Sequence, residues 1–418
     1  MPGSLLRTSF IAFHVRTASV VYRPMLQTHN RQLFLAQQRL RRFLQTQSTN
    51  PLSSAADSTA EWYTQSAVAF DIDGVLVRGK RALDEGRRAL KMLNGDNVLG
   101  KRIPFVLLTN GGGVPEEEKA ADISQMLGVE VCADQIVLAH SPMQKLALEY
   151  ANKHVLVVGG RGRRCADIAR RYGFNNVSTP NDVVAWRPSA WPFMDPPSGT
   201  QLSRSDGRDY SNHPFQAVMV FHDSFDFGRD LQVVTDVLRS RNATVDGEFA
   251  NKQSIPLFMS NSDLVFSNDY PRPRFGQGAY HVCLRAMWDA LTGGAPLEYT
   301  LFGKPNRVQY QYAEKLLDQL ILNAVPSTDI TQLRTQRRVY AVGDNPAADI
   351  AGANGAGWTS ILVRTGVFAG GPGANDLANP ADMVVDHVMD AVEWIIKSEL
   401  KHTETDAASK RASRSEPF

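Results

Sequence analysis

Two stretches of the chain alternate short apolar runs with helical patterns. In the first stretch, the apolar runs from Ala67 to Phe70 and from Ile103 to Leu108 predict buried parallel strands. Helical spacing follows each run, from Leu83 to Leu93 and from Pro115 to Leu127. The second helix opens with a proline, which suits the first helical position, and three glutamates, which suit the positive end of a helix dipole.

The same alternation returns near the carboxyl end of the chain. Val339 to Val342 and Ser360 to Val363 predict strands, and residues 347–356 and 388–400 have helical patterns. Two sets of strand and helix units separated by a long middle segment predict an α/β protein. Its core would be a doubly wound, Rossmann-like parallel sheet into which another unit is inserted.

The middle segment has strands and helices of its own. Strands are predicted at Val155 to Val158, Ala217 to Phe221 and Leu257 to Phe258. Helical patterns from Cys165 to Tyr172 and from Asp230 to Arg239 lie among them. The segment is therefore expected to be a folded α/β domain rather than a linker.

These patterns divide the chain into five parts. The core is predicted over residues 66–150 and 276–400, and the inserted domain over 151–275. Within the insertion, prolines and glycines interrupt residues 186–214, which predicts an irregular loop. Residues 1–55 are set apart by their charge, and the polar residues 401–418 predict a disordered tail.

The charge of the first 55 residues differs from that of the rest. No Asp or Glu occurs up to Ala56, and without the seven arginines of this segment the formal net charge changes from +2 to −5. An arginine-rich, acid-free start with Ser, Thr, Gln, Leu and Phe is typical of a mitochondrial transit peptide. We therefore expect a mitochondrial protein, in the matrix rather than the intermembrane space. The alternative is a disordered basic arm that contacts RNA or lipid head groups.

The composition excludes several other classes of protein. At 418 residues, 43% hydrophobic and 21% charged, the chain has the composition of a globular protein. Lys+Arg 45 against Asp+Glu 43 gives no general basic field for nucleic acid. Three cysteines make no disulfide framework. No apolar run reaches the roughly 18 residues of a spanning helix, so any membrane contact would be peripheral.

Candidate chemistry starts at the end of the first predicted strand. Asp71 and Asp73 stand two residues apart before Gly74, where ligands bind in an open α/β sheet. Two carboxylates this close favour a hard divalent cation such as Mg²⁺. Asp71 could then attack phosphorus to form an aspartyl-phosphate, while Asp73 protonates the leaving oxygen and later activates water. Taken alone, the pattern also fits a solvated Asp-Gly turn.

Three further segments carry polar residues at predicted strand ends or in adjoining loops. Thr109 and Asn110 precede three glycines, and a hydroxyl with backbone N–H groups can hold a phosphoryl oxygen. Lys304 offers an ammonium, and Asp344 follows a strand with Asp349 five residues later. Each feature alone also fits a helix cap, a surface lysine or a dipole-stabilising carboxylate. Their common placement favours one shared site.

The four segments together resemble the ordered motifs of the haloacid dehalogenase (HAD) superfamily. The resemblance spans about residues 66 to 400 and rests on Asp71-x-Asp73-Gly-Val, Thr109-Asn110, Lys304 and Gly343-Asp344 with Asp349. An insertion between the second and third motifs is similar to the type-two caps of the nucleotide and p-nitrophenyl phosphatase group. Phe302-Gly-Lys-Pro and Gly343-Asp-Asn-Pro-Ala-Ala-Asp more narrowly resemble the mitochondrial HAD-like hydrolase-domain proteins.

The resemblance implies a role for each of these residues. Asp71 would be the nucleophile and a Mg²⁺ ligand, and Asp73 the acid/base and a ligand through its backbone carbonyl. Thr109 would orient the phosphate together with Asn110 and Gly111, and Lys304 would neutralise negative charge. Asp344 would be the remaining protein ligand of the metal, with Asp349 behind it. A carboxylate at Asp73 argues for phosphoryl transfer rather than dehalogenation.

Three functional hypotheses follow. The first is a Mg²⁺-dependent phosphatase of a small phosphorylated metabolite, with a cap domain that closes over the site. The second is the same chemistry on a lipid-linked phosphate, such as an intermediate of glycerophospholipid metabolism. The third is a catalytically idle scaffold or sensor.

Overall fold

The computed structural model describes residues 66–193, 207–266, 268, 270–324 and 329–414. The predicted transit peptide and residues 194–206 of the predicted irregular loop lie outside these residues. The strands of the described residues are β1 Ser66–Phe70, β2 Val77–Arg78, β3 Arg81–Ala82, β4 Phe105–Leu108, β5 Ile136–Val137, β6 Val155–Val158, β7 Val177–Ser178, β8 Ala217–Val220, β9 Leu257–Met259, β10 Val265–Phe266, β11 Arg274–Phe275, β12 Thr300–Leu301, β13 Arg338–Gly343, β14 Thr359–Val363 and β15 Met383–Val385.

The α-helices of the described residues alternate with these strands. They are α1 Asp84–Leu93, α2 Glu116–Leu127, α3 Ala147–Tyr150, α4 Arg164–Arg171, α5 Pro180–Trp186, α6 Phe227–Arg239, α7 Gln277–Thr292, α8 Arg307–Ala324, α9 Ile330–Gln336, α10 Ala351–Ala356 and α11 Val388–Arg414. Across the described ranges, none of them combines the length and apolar character that a membrane span requires.

Six parallel strands form the first sheet, in the order β15-β14-β13-β1-β4-β5. Side chains alternate across β1, so that Val68 and Phe70 pack into one apolar cluster and Ala67 and Ala69 into another. Residues of α1, α2 and α11 complete the first cluster, and residues of α8 and α10 the second. The predicted doubly wound α/β fold is thus confirmed.

The order of the strands reverses next to β1. The chain proceeds outward from β1 to β4 and β5, and it returns through β13, β14 and β15 on the other side of β1. Ligands of doubly wound sheets bind at the carboxyl ends of the strands where this reversal occurs. Asp71 and Asp344 directly follow β1 and β13 and therefore lie at that position.

A second parallel sheet, in the order β12-β9-β8-β6-β7, is built from residues 155–301. Its core includes Tyr280, Leu284 and Trp288 of α7. Residues beyond the predicted end of the insertion at 275 also contribute to this sheet, because α7 buries its apolar face on it and β12 pairs with β9. We place the domain boundary after Leu301 as a proposal.

Two other predicted irregular segments differ from expectation. Part of 186–214 is ordered by α5, which ends at Trp186, and by the 3₁₀ turn Pro188–Ala190. The tail predicted to be disordered from residue 401 is helical as far as Arg414, since α11 continues without interruption. Between residues 401 and 416 there is no Gly or Pro, and Ala, Lys, Glu and Arg are frequent. Helix propensity therefore favours the continuation of α11 into this stretch.

Candidate active site

The candidate site lies where the chain leaves β1 and β13. The backbone N–H of Asp71 donates to the carbonyl of Val342 at 2.9 Å, so the two chain segments stay together past the end of β1. Gly74 has φ of 86°, a conformation that favours glycine. A Cβ at this position would lie 2.5 Å from Oδ2 of Asp344, so the glycine also permits a close approach.

Three carboxylates converge at this point. One oxygen each from Asp71, Asp344 and Asp349 lies within 4.8 Å of the other two. Asp349 belongs to the π-helical turn Pro346–Ile350, and its Oδ2 accepts the N–H groups of Asp344 at 3.1 Å and Asn345 at 3.0 Å. Each of the three residues is less than a tenth exposed, at 9%, 3% and 5%. The carboxylates are therefore largely removed from water, where unpaired charge is costly.

Lys304 is in direct contact with two of these carboxylates. Its Nζ lies 2.7 Å from Oδ1 of Asp71 and 2.6 Å from Oδ1 of Asp349, and the residue is 4% exposed. Burial lowers the pKa of Lys304, but the two carboxylates raise it more, and the net pKa lies well above its usual value. One ammonium thus faces three carboxylates, and when all are ionised negative charge is in excess.

The excess negative charge affects the carboxylates themselves. Burial and the charge of Asp349 raise the pKa of Asp344, while the Val367 N–H and Lys304 lower it, and the resulting pKa is about 7. Burial also raises the pKa of Asp71 well above its usual value, with Lys304 opposing the shift. A hard divalent cation would offset this repulsion, and a set of oxygen donors suits Mg²⁺. The residues present therefore fit the metal that the sequence predicts.

The loop after β4 carries Thr109, Asn110 and Gly111. The hydroxyl oxygen of Thr109 accepts the Gly111 N–H at 2.9 Å, which holds the loop in a tight turn. The Asn110 side chain makes two hydrogen bonds to the backbone of Lys304. Its Oδ1 accepts the Lys304 N–H at 2.8 Å, and its Nδ2 donates to the Lys304 carbonyl at 3.0 Å. Asn110 therefore positions the lysine, and any phosphate contact from this residue would come from its backbone N–H.

Asp73 lies beside the carboxylate cluster but is not one of its three members. Its backbone forms a bridge with Val77 at the start of the β2–β3 hairpin. Burial raises the pKa of Asp73, while Lys119 and Lys304 lower it. A raised pKa favours the protonated form that a general acid must have.

The sequence reasoning missed a group of residues from the second sheet. Asn261 donates from Nδ2 to the carbonyl of Asn110 at 2.9 Å, and Asp263 accepts from the Asn110 side chain at 3.0 Å. The Asn261 backbone N–H donates to Oε1 of Gln277 at 3.0 Å. A signal is present in the sequence, because polar residues 260–263 directly follow β9. Only contact between the two sheets, however, brings these residues to Asn110.

His140 packs beneath the glycine loop that follows Asn110. A Cβ on Gly112 would lie 2.8 Å from Cδ2 of His140, and the imidazole stacks on Phe221 with 5.7 Å between ring centroids. Its Nδ1 lies 2.8 Å from the hydroxyl of Tyr172, which itself donates to Glu116 at 2.6 Å. Burial, followed by the nearby His222, lowers the pKa of His140 to about 3. The imidazole is therefore neutral at physiological pH.

This buried imidazole predicts a loss of stability in acid. The unfolded chain binds a proton at His140 below about pH 6.5, whereas the folded chain does so only near pH 3. The free energy of unfolding should therefore fall by about 2 kcal/mol from this residue between pH 6.5 and 5. Urea unfolding at several pH values measures the slope. His140→Gln should flatten it, the exposed His402→Gln should not, and equal slopes in all three proteins would refute the prediction.

Comparison with known proteins agrees with the fold and identifies the family. Residues 68–175 match the family described as haloacid dehalogenase-like hydrolase, and residues 301–391 match the family described as HAD-hydrolase-like. A mitochondrial hydrolase of Saccharomyces cerevisiae is 38% identical over 344 residues, which cover 78% of this chain and 94% of that protein. The chain belongs to the HAD-like hydrolases, and the predicted resemblance is confirmed.

One further relative and one solved structure extend the comparison. A cardiolipin synthase (CMP-forming)/mitochondrial hydrolase fusion protein of Schizosaccharomyces pombe is 38% identical over 347 residues, 81% of this chain. The chain spans about half of that relative, 55% of its length. The crystal structure of a hypothetical protein from Pyrococcus horikoshii has a TM-score of 0.53 at 21% identity, covering 79% of this chain and 99% of that one. This likeness concerns the fold alone.

Proposed function

We propose that this hydrolase is a Mg²⁺-dependent phosphatase of a small phosphorylated molecule and that Asp71 is its nucleophile. The observation that carries the proposal is the buried set of Asp71, Asp344 and Asp349 around the Nζ of Lys304, at the point where the strand order reverses. A carboxylate held in place beside a protonated lysine suits attack on an anionic phosphoryl group.

Asp71 and Asp344 would hold the metal, together with the backbone carbonyl of Asp73. The bound Mg²⁺ would neutralise charge on the phosphoryl oxygens. Asp349 has its Oδ1 on Lys304 and its Oδ2 on two backbone N–H groups, so it fixes the lysine and the strand end. The assignment of Asp349 behind the metal ligands is consistent with these contacts.

The chain's own residues account for both steps of the reaction. Asp71 forms a bond to phosphorus while the bond to the leaving oxygen breaks, and Asp73 donates its proton to that oxygen. Asp73 then takes a proton from water as the water attacks phosphorus, which releases phosphate and restores Asp71. Lys304 stays protonated throughout and stabilises the nucleophile, and the Thr109 loop orients the phosphoryl group.

We assign the second sheet to a cap. The contacts of Asn261 and Asp263 with Asn110 support a cap that lies against the loop that would bind phosphate. Such a cap admits small substrates and excludes water during the first step. The acid-free residues 1–55 and the names of the two yeast relatives support a mitochondrial location, and we propose the matrix.

A second candidate substrate is a phosphate of glycerophospholipid metabolism. The observation that favours it is the Schizosaccharomyces pombe relative, in which a similar hydrolase is fused to a cardiolipin synthase. Fusing two enzymes in one chain is useful when their substrates occur in the same place. A lipid phosphate therefore belongs in the substrate panel.

The test is phosphate release from sugar, nucleotide, cofactor and lipid phosphates by the purified protein, with Mg²⁺ and with chelator. We expect turnover of at least one class that requires Mg²⁺. Calorimetry with Mg²⁺ alone provides a readout that needs no substrate. Folded protein that binds Mg²⁺ but releases no phosphate from any compound would favour the idle scaffold, and turnover unaffected by chelator would refute the metal requirement.

The loop after β14 offers a sharper test of the metal site. The Val367 N–H donates to Oδ2 of Asp344 at 2.6 Å, and a Cβ on Gly366 would lie 1.7 Å from that oxygen. Gly366→Ala must therefore displace the Asp344 carboxylate, and we expect Mg²⁺ affinity to fall about 10- to 100-fold. Gly355→Ala in α10 is the matched control, because its Cβ meets nothing within 4 Å. Equal Mg²⁺ affinity in both variants would contradict the assignment of Asp344.

A further inference from the structure

A cleft of about 550 Å³ lies next to the carboxylate cluster. One wall is the β2–β3 hairpin, with Arg78 and Arg81, and another is the segment 270–273 that leads into β11. Gly366 and Val367 complete it, and these are the residues packed against Asp344. The cleft and the proposed metal site therefore share one short loop.

Among the described side chains that line the cleft, the charged ones are all arginines. Arg78, Arg81 and Arg272 line it, and no Asp or Glu is among the lining residues that the structure describes. None of the three forms an ion pair within 4.0 Å in the described part of the chain, and Arg78 donates to the carbonyl of Thr365 instead. Other exposed arginines do find a carboxylate, as Arg187 does with Asp246 at 2.6 Å.

Three guanidinium groups line one cleft, and none of them forms an ion pair with a described carboxylate, which favours binding of an anion. Each guanidinium presents a planar set of donors that matches phosphate or carboxylate oxygens. The cleft also has apolar surface, from Leu83, Pro271 and Val367. Apolar surface in the same cleft as the arginines suits a carbon linker that joins two charged groups.

We propose that this cleft binds a second anionic group of the substrate. The substrate class is then a phosphomonoester that also carries another phosphate or a phosphodiester, joined to the first by a short carbon linker. This inference rests on the proposed phosphatase function, because it places the scissile phosphate at Asp71. A soluble bisphosphate and a phospholipid head group share the required chemistry.

The test compares two series of substrates. One contains bisphosphates of straight-chain diols of increasing length, and the other contains monophosphates of the matching alcohols. A lipid phosphomonoester that contains a phosphodiester, dispersed in detergent micelles, forms a third arm that separates the lipid source from the soluble one. The measured quantity is the ratio of kcat/KM for each bisphosphate to that for its monophosphate.

We expect the wild-type ratio to exceed one and to be largest at one linker length. The double variant Arg81→Gln/Arg272→Gln should lower that ratio about 10-fold or more, since two charge-assisted contacts are lost. Arg88→Gln, an exposed arginine of α1 that does not line the cleft, should keep the wild-type ratio. A ratio near one in the wild type, or an unchanged ratio in the double variant, overturns the inference while leaving the phosphatase intact.

A binding measurement separates the two possible failures. Calorimetry with the diol bisphosphate and the Asp71→Asn protein needs no turnover, and we expect affinity to fall when Arg81→Gln/Arg272→Gln is added. If no compound releases phosphate but this dependence on the arginines holds, the proposed function fails and the anion site stands. If binding does not depend on the arginines, the anion site is refuted.

Discussion

Replacing Asp71 with asparagine should abolish phosphate release without unfolding the protein. The amide keeps the shape of the side chain but cannot attack phosphorus, so we expect kcat to fall by about 10⁴-fold or more. Thermal stability should be unchanged or higher, because burial already raises the pKa of Asp71 and the variant removes that buried charge. Steady-state phosphate release and a thermal melt measure the two effects.

A matched control distinguishes loss of the nucleophile from loss of any buried carboxylate. Asp236 in α6 also has a pKa raised by burial, to about 6, and its side chain bonds Gln232 rather than a residue of the site. Asp236→Asn should keep wild-type turnover. Phosphate release by Asp71→Asn at a rate similar to that of the wild type would contradict the assignment.

Lys304→Met should reduce both activity and stability. The substitution leaves Asp71 and Asp349 buried without their shared ammonium, which is 2.7 and 2.6 Å from their oxygens. Loss of one partner of a buried ion pair costs about 3–5 kcal/mol, so urea unfolding in chelator should show a drop of that order. Mg²⁺ should restore part of the stability, while kcat stays about 10³-fold below the wild-type value because the charge on the phosphoryl group is no longer balanced.

Two variants test the cause of this destabilisation. Lys145→Met removes a lysine that lies over the Phe302 ring, 5.2 Å from its centroid, and does not touch the site, so it should have a small effect. Adding Asp349→Asn to Lys304→Met removes one of the two carboxylates that lost their ion-pair partner. The free energy of unfolding should then recover in part. A double variant less stable than Lys304→Met would argue against charge repulsion as the cause.

The predictable part of the molecule depends on local pattern. Apolar runs that end in Asp71, in Thr109 and in Asp344 predict strand ends, and the parallel sheet brings those ends to one edge. Lys304 follows β12 of the second sheet, so the edge of the first sheet does not place it by itself. Its prediction depended on the common placement of the four segments and on the family resemblance. The chemical roles of these residues stay predictions.

The features that could not be predicted from the sequence depend on how separate segments of the chain pack together. Asn110 contacts Lys304, Asn261 and Asp263, and no periodicity along the chain indicates that three segments meet at one amide. The pairing of β12 with β9 and the cleft around Arg81 and Arg272 arise in the same way. A polar composition from residue 401 predicts disorder, yet the same residues also have high helix propensity, and the structure follows the propensity.

The proposed mechanism requires a covalent phosphoryl group on Asp71. The most direct measurement mixes the protein with substrate and Mg²⁺, quenches the reaction within a turnover, and reduces it with borohydride, which converts an acyl phosphate to the alcohol. Mass spectrometry of the peptide that contains Asp71 should then show homoserine at this position, dependent on substrate and Mg²⁺. An unmodified Asp71 during active turnover, or homoserine at another aspartate, would contradict the claim.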